Sequence, residues 1–169
     1  RVNRFVVGRT VMPELTFKIS PARPKHVRKI ARLYKEVWAE MAHLLGPELT
    51  RARQASIRTI AQWIHDDPYF VACHDKKVIG VTGAELRYGT VHMVHMVVDK
   101  DYRKSGVGTA LVEHVEQFAR KVKAVKVWFD THPEMTDAIR LYEKLGYRKC
   151  GYFRKHYWGI DIVLYEKLL

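Results

Sequence analysis

The stretch Asp101-Tyr102-Arg103-Lys104-Ser105-Gly106-Val107-Gly108-Thr109-Ala110 decides the reading of this chain. An apolar run, residues 93–98, leads into it. Apolar residues at helical spacing (Leu111, Val112, Val115, Phe118, Ala119 and Val122) lead out of it. Two glycines one residue apart, preceded by Arg103 and Lys104, therefore stand where a strand hands over to a helix. Glycine lets the backbone bend freely and approach a ligand closely. The first N–H groups of a helix lack internal partners and carry partial positive charge, so they suit an anion such as a pyrophosphate. No Gly-Lys-Ser/Thr follows at the spacing of a nucleotide-hydrolase phosphate loop. The third glycine and downstream acid of a dinucleotide fingerprint are also missing.

Working outward, residues 15–19 read as a short strand, and Pro21 and Pro24 mark a turn. Val27, Ile30, Ala31, Tyr34, Val37, Trp38 and Met41 recur at helical spacing, so residues 25–42 form an amphipathic helix, broken by Gly46-Pro47. A second helix runs over residues 57–64. Residues 69–74 and 78–86 form a hairpin, and Gly89 turns the chain into a third strand of that group, residues 90–98. Beyond the glycine loop and its helix come a strand at 125–130 and a helix at 136–145, which Gly146 closes. Strands at 148–154 and 160–166 end the chain. The order β-α-α-β-β-β-α-β-α-β-β predicts an α+β fold with helices layered on a mostly antiparallel mixed sheet, whose parallel unit lies between residues 90 and 130. Residues 15–169 read as a single domain, and residues 1–14 as an N-terminal extension or a cloning remnant.

Arg103-Lys104-Ser105-Gly106-Val107-Gly108 matches the pattern Arg/Gln-x-x-Gly-x-Gly/Ala, and so resembles the coenzyme A loop of the GNAT superfamily of N-acetyltransferases. Ala138-Ile139-Arg140-Leu141-Tyr142-Glu143-Lys144-Leu145-Gly146-Tyr147 is similar to that family's Ala-Ile-x-Leu-Tyr-Glu-Lys-Leu-Gly-Phe segment. The element order is also that of the GNAT fold. The resemblance implies acetyl-CoA as co-substrate; no metal is expected, since no Cys or carboxylate completes a ligand set with His92, His95 and His132 at a recognisable spacing. The resemblance implies that the backbone of Arg103, Lys104, Ser105, Gly106, Val107, Gly108 and Thr109 holds the pyrophosphate. It implies that Met96, Val97 and Val98 pair with the pantetheine arm, and that Tyr142 protonates or positions the thiol. At Met135 the chain departs from relatives that carry Asn there, which removes one polar contact to the cofactor arm.

Direct acetyl transfer also needs a group to take the amine proton, since a Lys-type amine has a pKa of about 10.4. Asp130, at the end of its strand, matches a position where several N-terminal acetyltransferases of the superfamily carry Glu; a turn-forming aspartate is the equal alternative. His132 is a second candidate. His92 and His95 would face opposite sides of a regular strand, so only a bulge brings both to one site. Cys73 and Cys150 fall in predicted strands, where buried structural thiols are the common case, and no histidine-bearing motif makes either a nucleophile.

The 169 residues carry a net charge of +12. Residues 1–35 hold ten Lys/Arg against one acid, a net of +9, and the remainder holds twenty against seventeen, a net of +3. A basic N-terminal region leaves open an acyl-CoA-binding regulatory module that meets nucleic acid or a ribosome, as the alternative to an enzyme. No apolar run approaches the roughly 20 residues of a membrane span, and residues 1–10 hold no continuous apolar segment. With two cysteines the expected setting is reducing and cytoplasmic, and the expected state is a monomer or homodimer. Acceptor choice is assigned to the first two helices, the loop 44–49 between them and the turn 155–159, where Trp38, Met41, His43, Tyr157 and Trp158 make the surface aromatic and apolar. The scarcity of acids there, Glu36 and Glu40 apart, argues against a polyamine, and the stretch 157–161 loosely resembles protein N-terminal acetyltransferases. A protein N-terminus or Lys is slightly favoured over a small-molecule amine.

Overall fold

The computed structural model describes residues 15–169. Residues 1–14, expected above to be an extension or a cloning remnant, lie outside the described residues. Seven strands form one sheet: β1 (Lys18–Pro21), β2 (Tyr69–His74), β3 (Lys77–Arg87), β4 (Thr90–Val98), β5 (Lys126–Thr131), β6 (Arg148–Tyr157) and β7 (Ile160–Leu168). Their order is β1-β2-β3-β4-β5-β7-β6, and every pairing is antiparallel except β4 with β5. Five helices cover the sheet: α1 (Val27–Glu40), α2 (Ala42–Arg53), α3 (Ile57–Asp66), α4 (Val107–Lys121) and α5 (Thr136–Lys144).

Two apolar cores lie on opposite faces of the sheet, as a layered α+β fold requires. Ile30, Leu33, Tyr34, Val37 and Trp38 of α1 pack with Ile60 of α3 on Val71, Val81 and Val97. On the other face Val107, Leu111, Val112 and Val115 of α4 pack with Tyr142 on Ile79, Val91, Val127 and Phe129. Strands β2 and β3 are buried on both faces and so read as almost continuous apolar runs.

The expected loop at 44–49 is instead helical. Gly46-Pro47 interrupts α2 at a kink: Gly46 takes the non-helical φ 68° and ψ 170°, and Pro47 starts the next turn. Proline needs no donor partner in a first turn, and its φ suits one, so the pair that stops one helix begins another. The first strand lies at Lys18–Pro21, past the predicted 15–19, where it pairs with Phe70–Cys73. The last two strands run further than predicted, to Tyr157 and Leu168. Cys73 is half-buried, but Cys150 is exposed on β6, at the sheet's edge, contrary to the reading of both thiols as buried. No helix among the described residues is long and apolar enough to cross a membrane.

One irregularity shapes the site. Strands β4 and β5 pair only at Val91 with Val127 and His92 with Trp128, then part. Beyond His92 the β5-facing edge of β4 is therefore open. On its other side β4 stays paired with β3, but Val81 meets Val97 while Gly83 meets Val94. Thr82 thus opposes both His95 and Met96, a β-bulge with His95 at φ 53°.

Candidate active site

Two cavities meet in the opening between β4 and β5. The larger, about 490 Å³, runs between the α1–α2 elbow, the open edge of β4, the glycine loop and α5. The smaller, about 280 Å³, lies deeper toward β3 and β5, with Tyr157 on its rim. Trp38, Met96, Met135, Ala138 and Tyr142 line both.

The glycine loop leaves helix amides free in the way an anion cradle needs. Gly106 sits at φ 87°, in the left-handed region, and serves as the N-cap of α4. Ala110 is the first residue of α4 to donate back, to Gly106 at 3.0 Å, so the N–H groups of Val107, Gly108 and Thr109 have no intrahelical partner. Gly108 keeps the groove open beside α5: a Cβ there would lie 3.1 Å from Leu141. The Ser105 hydroxyl turns inward and donates to the Tyr102 carbonyl. Arg103 is engaged elsewhere too. Its guanidinium forks onto both oxygens of Glu40, at 2.7 and 2.8 Å, and its Nε donates to the Val98 carbonyl at 3.3 Å. The hydrogen bonds from Arg103 hold the Glu40 carboxyl below its ordinary range. Lys104 lines the same cavity and makes no ion pair among the described residues, so it offers the loop's uncommitted charge.

Tyr142 stands at the junction. It is 7% exposed, packs on Phe129 with ring centroids 4.0 Å apart, and donates to the Met96 sulfur at 3.4 Å. Burial pushes its phenol well above the ordinary range, so it remains protonated at neutral pH. Met96, Val97 and Val98 lie along the opposite wall of the larger cavity, on the open strand edge.

The smaller cavity holds the other candidates. Asp130 accepts from or shares a proton with His92 Nε2 at 3.2 Å, and His92 Nδ1 lies 3.9 Å from Glu85. The His92 ring is fixed by parallel stacking on Trp128, with centroids 3.8 Å apart. Burial raises the Asp130 carboxyl, but the His92 hydrogen bond and the Arg53 charge outweigh it and bring the group below its usual range. Its second oxygen, Oδ2, is buried without a hydrogen-bond partner; Arg53 Nη2 stands 3.7 Å away, too far to bond.

The bulge brings His92 and His95 to one cavity. They are not equivalent. His95 Nδ1 pairs with the Tyr69 hydroxyl at 2.7 Å, and its ring stacks on Trp63 at 4.0 Å. Burial, helped by Arg53 and His92, pushes its pKa down to about 3, so it is a neutral structural residue. His132 lines the cavity but accepts from the Glu134 amide at 3.1 Å. Of the residues expected to choose the acceptor, Trp38 and Tyr157 line this cavity, whereas Met41 and the loop residue Leu44 line the larger one. His43 and Trp158 line neither. Sequence reasoning missed Arg53, Glu85 and Trp128, and did not foresee that Glu40 pairs with Arg103. The one signal for Glu85 was a carboxylate inside an otherwise apolar strand. No group of three or more His, Cys, Asp or Glu among the described residues is placed to hold a metal ion.

The chain is 35% identical over 97 residues to N-acetyltransferase 8B of Homo sapiens, a match that covers 54% of this chain and 43% of that one. It is 32% identical over 69 residues to the [ribosomal protein bS18]-alanine N-acetyltransferase of Escherichia coli K12, covering 41% and 47%. The chain thus spans about half the length of these curated relatives or less. Among solved structures, the PaiA N-acetyltransferase from Thermoplasma acidophilum in complex with coenzyme A superposes with a TM-score of 0.78 at 14% identity, over 91% of this chain and 99% of that one. At that identity the likeness is one of fold. The profile of the acetyltransferase (GNAT) family matches residues 33–147, which contain the glycine loop, Asp130 and Tyr142, and the chain belongs to that family.

Proposed function

We propose that this chain transfers the acetyl group of acetyl-CoA directly to a primary amine. The observation that carries the reading is the meeting of two cavities at Tyr142, one with an anion cradle and one with a paired carboxylate. Acetyl-CoA supplies the acetyl thioester. The free amides of Val107, Gly108 and Thr109, with Lys104, bind its pyrophosphate at the mouth of the larger cavity. The open edge of Met96, Val97 and Val98 guides the pantetheine arm inward to Tyr142. That PaiA from Thermoplasma acidophilum was solved with coenzyme A in the same fold supports this assignment.

Asp130 and His92 take the proton from the acceptor ammonium, and Glu85 extends the pair toward solvent. Because the Asp130 carboxyl sits low, it holds the ammonium in place as a counter-charge, and its contact with His92 Nε2 passes the proton on. The uncharged amine nitrogen then bonds to the acetyl carbon, and the carbon–sulfur bond breaks. Tyr142, kept protonated by burial, gives its proton to the departing sulfur, and the second proton lost from the acylated nitrogen restores the phenol. Trp38, Met96 and Met135 keep water from the junction, so transfer to the amine outruns hydrolysis. The relatives named for a ribosomal protein alanine and for an N-alpha amine support a protein amine as one class of acceptor. A binding module without turnover would have no use for a second cavity holding Asp130 and His92.

The test is thiol release from acetyl-CoA with a panel of peptide N-termini, Lys peptides and small amines. Acceptor-dependent release that Tyr142→Phe largely removes is the expected outcome. Tight coenzyme A binding with no release for any amine would instead favour the binding module.

A further inference from the structure

A guanidinium in an acceptor cavity needs an explanation. The acceptor arrives as a cation, and a fixed positive charge beside it repels it. Yet Arg53, the last residue of α2, points its head into the smaller cavity. It lies over the Trp38 ring at 5.9 Å and makes no hydrogen bond among the described residues. Its one ionic neighbour is Asp130, at 3.7 Å, where the carboxylate oxygen is left unbonded. Both groups are under-used: Arg53 offers a fork of donors, and Asp130 lacks a donor for Oδ2. A partly buried charge pair at that separation, with Asp130 Oδ2 itself buried, is poorly satisfied until something bonds to both members.

A molecule with a cation and an anion on neighbouring atoms does so. Its ammonium replaces the missing donor at Asp130, and its carboxylate takes the guanidinium fork, drawing Arg53 off Oδ2 as it enters. Planar two-point capture of a carboxylate is what arginine does better than lysine. The rest of the wall is Trp38, Leu45, Leu49, Val94, Tyr157 and Ile162, which leaves an apolar pocket for a third substituent. We propose that the acceptor is an α-amino carboxylate with an apolar side chain, and that Arg53 is the residue that recognises its carboxylate. This rests on the acetyl transfer proposed above and narrows its acceptor.

The test compares L-leucine and L-phenylalanine with their amides as acceptors for the full chain, with acetyl-CoA saturating. Removing the carboxylate makes the amine easier to deprotonate, so intrinsic reactivity favours the amides. A preference for the acids, at least about tenfold in kcat/KM, is therefore expected only if the carboxylate is recognised. Arg53→Gln should bring the acid-to-amide ratio toward one, and Arg53→Lys should restore part of it. Amides acetylated as well as the acids by the wild-type chain would overturn the proposal and leave the acetyltransferase reading intact. So would a longer peptide N-terminus outcompeting both. No thiol release with any acceptor would instead sink the underlying reading. If Arg53→Gln fails to fold, the wild-type ratio alone still decides.

Discussion

The larger cavity, which we propose as the cofactor groove, and the smaller, proposed to take the acceptor, share five lining residues but are made in different ways. The groove is mostly backbone: helix amides, a strand edge and two glycines. Its requirements are conformational, and they leave a mark in a short contiguous stretch, residues 103–109. The cavity is made of side chains from α1, α2, α5, five strands and the β5–α5 loop, with Arg53 and Asp130 seventy-seven residues apart in sequence. Nothing local joins them. A fold can therefore keep the first part nearly fixed while it varies the second, which is why cofactor and reaction type are easier to read than the acceptor.

Breaking the junction should cost most. Tyr142→Phe should lower kcat by about 10² or more while coenzyme A affinity changes only a few-fold, because the phenol acts at the sulfur and the cradle is distant. Calorimetric affinity and initial rates on the same preparation separate the two effects. Asp130→Asn is expected to lower kcat/KM by roughly 10² with coenzyme A binding unaltered, since it removes the counter-charge and the His92 contact together. Equal losses in cofactor affinity would place Asp130 in the groove's architecture instead.

The groove should respond more mildly and in a different parameter. Lys104→Ala should weaken coenzyme A binding about five- to tenfold at low salt, less at high salt, with kcat nearly constant. Gly106→Ala must hold φ near 87°, which costs about 1 kcal/mol of stability and a few degrees in Tm.

A further effect, read in stability against pH rather than in turnover, concerns His95. Its folded pKa, about 3, lies below the ordinary 6.5, so the folded state binds fewer protons between those values. Its contribution is complete above about pH 6.5 and is lost as pH falls toward 3, at up to ~1.4 kcal/mol per pH unit. Denaturant titrations between pH 7 and 4 should show the slope, and His95→Phe should flatten it.

What the sequence made legible follows the same division. Apolar periodicity placed the strands and the main helices, because each must bury one face. The glycine loop and Tyr142 segment were legible because backbone geometry and a motif fix them. Gly46-Pro47 misled because a helix break and a helix restart use the same dipeptide. His92 and His95 could be counted but not oriented, since one extra residue opposite Thr82 reverses every side chain beyond it. Glu40 and Arg53 gave no sign of their partners, being ordinary charged residues on helices until the fold sets each beside Arg103 or Asp130.

The most direct test of a two-cavity site joined at Tyr142 is a crystal structure with coenzyme A bound. The sulfur should lie within roughly 3.5–4 Å of the Tyr142 hydroxyl, at the opening of the cavity that holds Asp130 and His92. A pyrophosphate away from residues 106–109, or a sulfur directed away from Asp130 and Tyr142, would contradict it.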